Sequence, residues 1–162
     1  MTSIVYRTMN SSEEHLVCDL VSRVFNEFVA VDYEEEGIKE FFRFANPSAL
    51  KKRTESGGFV LVACRTDAIV GMLEFLPPDA IAMLFVAVRH QGFAKALLAR
   101  TTVKARQRNP HLSKLIVHSS PYAESIYTKM GFSKTADTRT ENGITYTPME
   151  LSLKDHSPLP GM

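Results

Sequence analysis

Tryptophan is absent from this 162-residue chain, and cysteine occurs only twice, at Cys18 and Cys64. Both cysteines lie in apolar periodic segments, which argues against a disulfide framework and indicates reduced thiols in a hydrophobic core. No apolar run reaches the roughly 18 residues that a membrane helix needs, and the first residues lack the pattern of a signal peptide. We therefore expect a cytoplasmic protein with no membrane partner.

An excess of one charge is also missing. Lysine and arginine together number 19 and aspartate and glutamate 18, so the formal net charge is +1. A nucleic-acid-binding domain normally has a basic excess, and we expect no nucleic-acid partner. The five histidines have no metal-ligand spacing, which predicts no metal site. The Gly-x-Gly-x-x-Gly pattern is absent too, which argues against a dinucleotide-binding protein.

The pattern of apolar residues predicts one α/β domain over residues 1–153 and a disordered tail over residues 154–162. Ser11 and Glu14 form a capping-box pattern, which predicts the start of a helix whose apolar stripe continues to Val29. A second helix is expected to start near Glu34, and Pro47 to end or interrupt it. The predicted strands are 3–8, 59–65, 69–76, 81–88, 115–117, 132–135 and 144–153, and the later predicted helices are 92–106 and 122–130.

A junction between a strand and a helix is the most informative segment. Residues 86–94 read VAVRHQGFA; they follow an apolar run and precede a helical pattern that starts at Lys95. A buried strand is therefore expected to end here, the backbone to turn at Gly92, and a helix to begin. The first N–H groups of a helix lack partners and carry positive partial charge, so they favour phosphate binding.

Two spaced motifs resemble those of the GNAT superfamily of N-acetyltransferases. Arg89-x-x-Gly92-x-Ala94 is similar to the Arg/Gln-x-x-Gly-x-Gly/Ala segment that holds the coenzyme A pyrophosphate in that family. Residues 120–132, SPYAESIYTKMGF, are similar to its later motif, Asn-x-x-Ala-x-x-x-Tyr-x-x-x-Gly-Phe, with Ser120 in place of asparagine. The resemblance spans roughly residues 59–152, and the chain is identified as a member of the superfamily.

Membership implies a mixed, mostly antiparallel sheet of about seven strands with helices on both faces. It also implies that the protein transfers the acetyl group of acetyl-CoA to a primary amine of a small molecule or peptide, by direct attack in a ternary complex. A non-catalytic acyl-CoA-binding module with the same fold is the alternative. A homodimer is plausible, because sheet edges near the C-terminal strands are expected to be exposed. The residues that the resemblance assigns to acetyl-CoA are Val86, Val88, Arg89, Gln91, Gly92, Phe93, Ala94, Lys95, Ser120, Ala123 and Tyr127.

The resemblance also suggests catalytic roles. Tyr127 is the expected acid that protonates the leaving thiolate, and the N–H of Val86 is the expected donor to the oxyanion. A phenol titrates near pH 10 and a thiol near 8.5, so full proton transfer is uphill by only about 2 kcal/mol. Helical periodicity alone would also explain Tyr127 as a core aromatic residue. For the base, Glu74 is the candidate, against an exposed edge carboxylate that has no role or a proton lost to water.

The acceptor site is expected on the first two helices. Acids at Asp32 and at residues 34–36 would attract a cationic amine, although a helix N-terminus also favours acidic residues for electrostatic reasons. The phenylalanines of these helices serve either as core residues or as a platform for the substrate. They are Phe25, Phe28, Phe41, Phe42 and Phe44.

Overall fold

The computed structural model describes residues 3–153, so the tail predicted over residues 154–162 lies outside the described part. The strands are β1 (Ile4–Thr8), β2 (Phe59–Arg65), β3 (Ala68–Leu76), β4 (Ala80–Val86), β5 (Lys114–Ser119), β6 (Ser133–Lys134), β7 (Arg139–Glu141) and β8 (Ile144–Ser152). The α-helices are α1 (Glu14–Val24), α2 (Glu35–Phe44), α3 (Pro47–Glu55), α4 (Phe93–Arg108) and α5 (Glu124–Lys129).

The strands form one mixed sheet in the order β1-β2-β3-β4-β5-β8-β6, and β7 pairs with β8. All the strand pairs of the described chain are antiparallel except β4 with β5, which run parallel. The expected fold class, a mostly antiparallel sheet between helices, is therefore confirmed. The short strand β7 was not expected, because its three exposed residues, Arg-Thr-Glu, carry no apolar alternation.

Helices cover both faces of the sheet, and each face has its own hydrophobic core. One face packs against α4 and α5, with Leu73, Leu97 and Tyr127 in its core. The other face packs against α1, α2 and α3, with Val21 and Met72 in its core. Because side chains of a strand alternate between faces, β3 and β4 contribute to both cores.

The first helix ends earlier than its apolar stripe predicted. An α-helix continues only to Val24, and the chain then forms a π-helical turn (Phe25–Val29) and a 3₁₀ turn (Ala30–Asp32). The predicted capping box is wrong as well. Glu13 occupies the start of the helix, where its carboxylate accepts a hydrogen bond of 2.7 Å from the Asn10 N–H.

A further helix, α3, was missed, because Pro47 was interpreted only as a terminator. Proline is also favoured at the first position of a helix, where its missing N–H has no partner to lose. Asn46 precedes it and caps the new helix by accepting a hydrogen bond of 3.0 Å from the Ala49 N–H. Within α3, Arg53 points inward and pairs with Glu74.

Three expectations from the sequence concern the described residues 3–153. Cys18 and Cys64 are both buried and free, as expected. Burial raises the pKa of the Cys18 thiol to about 11, so the thiol stays protonated. In this part of the chain no group of histidine, cysteine or acidic side chains is arranged to hold a metal ion. Nor is any of the described helices long and apolar enough to cross a bilayer.

Candidate active site

The parallel strands β4 and β5 separate soon after they meet. They pair only at Ala80 with Ile116 and at Ile81 with Val117. The register of β4 against β3 shifts next to this point, where Ala82 is the extra residue of a β-bulge. A bulge bends its strand, which explains why β4 turns away from β5 here. We call this opening the fork. It opens into a cleft of about 90 Å³.

Backbone N–H groups of β4 point into the fork. The Ala87 N–H donates to the Val70 carbonyl across the β3–β4 ladder, at 2.8 Å. Hydrogen-bonding direction alternates along an antiparallel strand, so the N–H groups of Leu84 and Val86 point away from β3, toward β5. The expected oxyanion donor, Val86, therefore has the required direction. Leu84, which sequence reasoning did not single out, has the same direction.

A second cleft surrounds the turn into α4. Gly92 caps the helix with a φ of 77°, a left-handed conformation that glycine adopts readily. The amides of residues 91–95 donate to no acceptor in the described chain, and a Cβ built on Gly92 would meet nothing within 4 Å. We call residues 88–95 the cradle, because their unpaired N–H groups border open space. The side chains that line this cleft include Val86, Val88, Arg89, Gln91, Gly92, Phe93, Ala94 and Lys95.

The two clefts adjoin. Val86, Ala94 and Ile126 line both of them, so the space over the cradle continues into the fork. The fork also collects Ser120, Ala123 and Tyr127 from the later motif. All the residues that the sequence assigned to acetyl-CoA thus lie around one continuous depression. Their assignment to the cofactor itself remains a prediction.

Tyr127 lies on α5 with its ring packed against Phe132, at 5.2 Å between ring centroids. The side chain is only 4% exposed, and burial raises the pKa of the Tyr127 phenol above its ordinary value. No residue within 3–153 forms a hydrogen bond with the hydroxyl, although the residue lines the fork. The phenol is thus a protonated donor without a partner. Its raised pKa makes full proton transfer harder and favours donation of a hydrogen bond.

Ser120 lines the fork, and Arg89 lies in the cradle. The Ser120 hydroxyl accepts a hydrogen bond of 3.2 Å from the Ala123 N–H, in the turn before α5. The Arg89 side chain reaches this region, with Nη2 3.5 Å from the Ser125 hydroxyl and its guanidinium over the Tyr122 ring. Arg89 therefore braces the loop before α5, and its positive charge belongs to the cradle.

Glu74 does not face the fork, and the expectation that it might serve there as a base is wrong. Its side chain is fully buried beneath α3, where the Arg53 guanidinium donates to both carboxylate oxygens, at 2.7 and 3.1 Å. The alternative, an exposed edge carboxylate, is wrong too. Burial raises the pKa of Glu74, whereas the hydrogen bonds from Arg53 oppose the rise. The pair connects a helix to the sheet.

His118 is a lining residue that the sequence did not reveal. It follows Val117, the last β5 residue paired with β4, and therefore begins the β5 side of the fork. Its ring stacks on Tyr146 with centroids 4.4 Å apart, and the Tyr146 hydroxyl donates to the Glu141 carboxylate. A lone histidine at a strand end has no motif or spacing by which sequence reasoning could have found it.

The acidic residues and the phenylalanines expected at the acceptor site lie in different places. Asp32 and the acids at 34–36 are exposed, and none lines the fork. Of the phenylalanines, Phe41 lines the fork, whereas Phe25 is fully buried behind it. Phe28 stacks on Tyr122 across the opening, with ring centroids 5.0 Å apart. One wall of the fork is therefore aromatic, and the acidic side chains lie elsewhere; a platform for the substrate remains a prediction.

Comparisons with known proteins identify the family. A model of the acetyltransferase (GNAT) domain matches residues 29–153, and the chain belongs to this family. A search of curated proteins found no significant match. The family assignment identifies an acetyltransferase domain in general terms.

Solved structures have the same fold. A GCN5-related N-acetyltransferase from Rhodopseudomonas palustris is 22% identical, with a TM-score of 0.77 over 94% of this chain and 98% of that one. The PaiA N-acetyltransferase from Thermoplasma acidophilum, in complex with coenzyme A, is 18% identical, with a TM-score of 0.76 over 93% and 99%. An acetyltransferase from Salmonella typhimurium with acetyl-CoA is 18% identical, with a TM-score of 0.68 over 95% and 96%. At such identities the likeness concerns the fold.

Proposed function

We propose that the protein transfers the acetyl group of acetyl-CoA to a primary amine of a small molecule or peptide, by direct attack in a ternary complex. The observation that carries this proposal is the continuity of the cradle and the fork. A cofactor with its pyrophosphate in the cradle would extend its thioester chain into the fork, while an amine enters from the opposite face of the sheet. Both substrates then occupy one cleft, which favours direct transfer without an acyl-enzyme.

The cradle offers hydrogen-bond donors and positive charge, which a pyrophosphate requires. The unpaired N–H groups of residues 91–95 lie at a helix N-terminus, where anions are favoured, and Arg89 adds a positive charge nearby. Coenzyme A is the ligand of the Thermoplasma structure and acetyl-CoA that of the Salmonella structure. These neighbours support the same class of cofactor for this chain.

The proposed step conserves atoms and charge. The amine nitrogen attacks the thioester carbonyl carbon, a C–N bond forms, and the oxyanion accepts hydrogen bonds from the N–H of Leu84 or Val86. Collapse of the intermediate breaks the C–S bond, the nitrogen gives up its proton to His118, and Tyr127 donates a hydrogen bond to the thiolate that leaves with the bonding electron pair. Each well-placed oxyanion donor contributes on the order of 3 kcal/mol of transition-state stabilisation.

His118 replaces Glu74 as the residue proposed to accept the proton from the attacking amine nitrogen. It lines the fork on the side of β5, and histidine is the side chain that most commonly exchanges protons near neutral pH. Glu74 is buried in its ion pair. Stacking on Tyr146 fixes the plane of the imidazole, so the ring is oriented before a substrate binds.

A thiol-release assay with acetyl-CoA and a set of primary amines tests the proposal. Direct transfer predicts thiol release that depends on the amine, an N-acetylated product by mass spectrometry, and intersecting initial-velocity lines. Parallel lines would indicate an acyl-enzyme instead. Binding of acetyl-CoA without transfer to any amine would favour the non-catalytic alternative.

A further inference from the structure

The fork has two chemically different halves. Val86, Ala94, Ala123 and Tyr127 belong to the face covered by α4 and α5, and they form the cofactor half. Seven other lining side chains lie on the face covered by α1 and α2, on those helices or on the segment between them, and we call these seven the acceptor half. The acceptor half consists of Val24, Val29, Tyr33, Phe41, Met83, Phe85 and His118.

The acceptor half contains no carboxylate. Among all the described residues that line the fork, none is aspartate, glutamate, lysine or arginine. The acids nearest in sequence, Asp32 and residues 34–36, are exposed to solvent outside it, and Glu35 pairs with Lys39 at 3.6 Å. A substrate that carried a second ammonium group into this half would therefore lose water without gaining an anionic partner, which is strongly unfavourable.

The aromatic walls are held in place by packing behind them. Phe41 stacks face to face on Phe25, with centroids 3.9 Å apart and an interplanar angle of 3°. Tyr33 meets the Phe25 ring edge-on at 5.3 Å, and Phe85 meets Phe41 at 6.0 Å. Because Phe25 is fully buried, it fixes the two rings that border the space. Preformed aromatic walls favour an apolar ligand that needs no rearrangement.

We infer that the acceptor is a primary amine whose non-reacting part is an aromatic or bulky apolar group, without a second cationic centre. This inference rests on the proposed function and specifies its substrate class. The apolar group would pack against Phe41, Phe85 and Tyr33. The amine would then point toward the gap between β4 and β5, near His118 and the β4 backbone. Diamines, polyamines and other polycationic acceptors are disfavoured.

Matched amines test the inference on the unmodified protein. The measurement is kcat/KM at saturating acetyl-CoA for hexylamine against 1,6-diaminohexane, and for 2-phenylethylamine against ethylamine. The expected result is a preference of about tenfold or more for hexylamine and for 2-phenylethylamine. Acetylation of the diamine as efficiently as hexylamine, or of ethylamine as efficiently as 2-phenylethylamine, would overturn the inference while leaving the proposed function intact. Thiol release with none of the four amines would overturn both.

A charge placed in the acceptor half provides an independent test. Phe85 is only partly buried, and Phe85→Asp introduces a carboxylate where the apolar group is expected. The ratio of kcat/KM for the diamine over hexylamine should rise about tenfold or more in this variant. Phe85→Asn is the matched control of nearly equal size, and its ratio should rise much less. Equal ratios in the two variants would contradict the inference, provided that both bind acetyl-CoA as the wild type does.

Discussion

Arg53 and Glu74 form a buried, two-pronged ion pair between α3 and β3. The guanidinium donates from Nε at 2.7 Å and from Nη2 at 3.1 Å, and it also donates to the Phe44 carbonyl at 2.7 Å. The Glu74 side chain has no exposed surface, and that of Arg53 retains 17%. One guanidinium thereby connects the end of α2, the helix α3 and the centre of the sheet. Glu74 is thus a structural residue.

Loss of one partner should destabilise the protein. Glu74→Ala leaves the Arg53 charge buried without compensation, and such changes lower the free energy of unfolding by about 3–5 kcal/mol. Lys52→Ala, at an exposed neighbour on α3, is the control and should change it by about 0.5 kcal/mol or less. Urea unfolding measures both. A Glu74 variant of unchanged stability and lost activity would return Glu74 to the catalytic machinery.

Removal of the Tyr127 hydroxyl should slow the reaction without weakening the fold. Tyr127→Phe keeps the buried ring and its contact with Phe132, so neither unfolding nor acetyl-CoA affinity should change appreciably. Turnover should fall by about tenfold or more, because the leaving thiolate loses its hydrogen-bond donor. Tyr122→Phe, on the same cleft, is the control in steady-state kinetics. Equal turnover in Tyr127→Phe and the wild type would leave Tyr127 a core residue only.

Substitution of His118 should lower the rate without weakening cofactor binding. His118→Gln keeps a polar side chain but cannot accept the proton of the attacking amine, so kcat should fall by about 10²-fold while acetyl-CoA affinity stays near the wild-type value. Tyr146→Phe keeps the ring that stacks on His118 and serves as the control. A His118→Gln variant with the wild-type kcat would show that another group, or water, accepts the proton.

The pair of Arg7 and Glu13 predicts an acid-sensitive contribution to stability. Both guanidinium nitrogens lie 2.8 Å from the carboxylate oxygens, and these hydrogen bonds with Arg7, together with the Asn10 N–H, lower the pKa of Glu13 to about 2. Because the folded-state pKa lies below the unfolded one, near 4.5, the contribution is complete above pH 4.5 and disappears as the pH falls toward 2. The difference in urea midpoint between wild type and Glu13→Gln should shrink over this interval. A constant difference would contradict it.

Local chemistry made part of the site predictable. The apolar run of β4, the turn at Gly92 and the following helix were all visible in the sequence, because a left-handed turn and a helix start require particular residues at fixed spacing. The positions of Tyr127 and Ser120 were predicted from a motif that covers one short helix and the turn before it. Such positions depend on local backbone geometry, which the spacing of residues in the sequence reveals.

What depended on tertiary packing was not predictable. The alternation of side chains along β3 predicts that Glu74 lies on the other face of the sheet from Leu73 and Phe75. It could not show that α3 covers that face. The partner of Glu74, Arg53, lies on that helix, which the sequence did not predict. His118 lines the fork only because β4 and β5 separate after the pair of Ile81 and Val117. No residue type in the sequence indicates this register.

Calorimetric titration of wild type, Gly92→Glu and Gly92→Ala with acetyl-CoA measures whether the cradle binds the phosphates of the cofactor. Both variants bear the strain of a side chain at a φ of 77°, but only glutamate adds bulk and negative charge to the open space above the turn. We expect micromolar binding by the wild type, modest weakening in Gly92→Ala, and no detectable binding in a folded Gly92→Glu. Unchanged affinity in Gly92→Glu, or no binding by the wild type at millimolar acetyl-CoA, would contradict it.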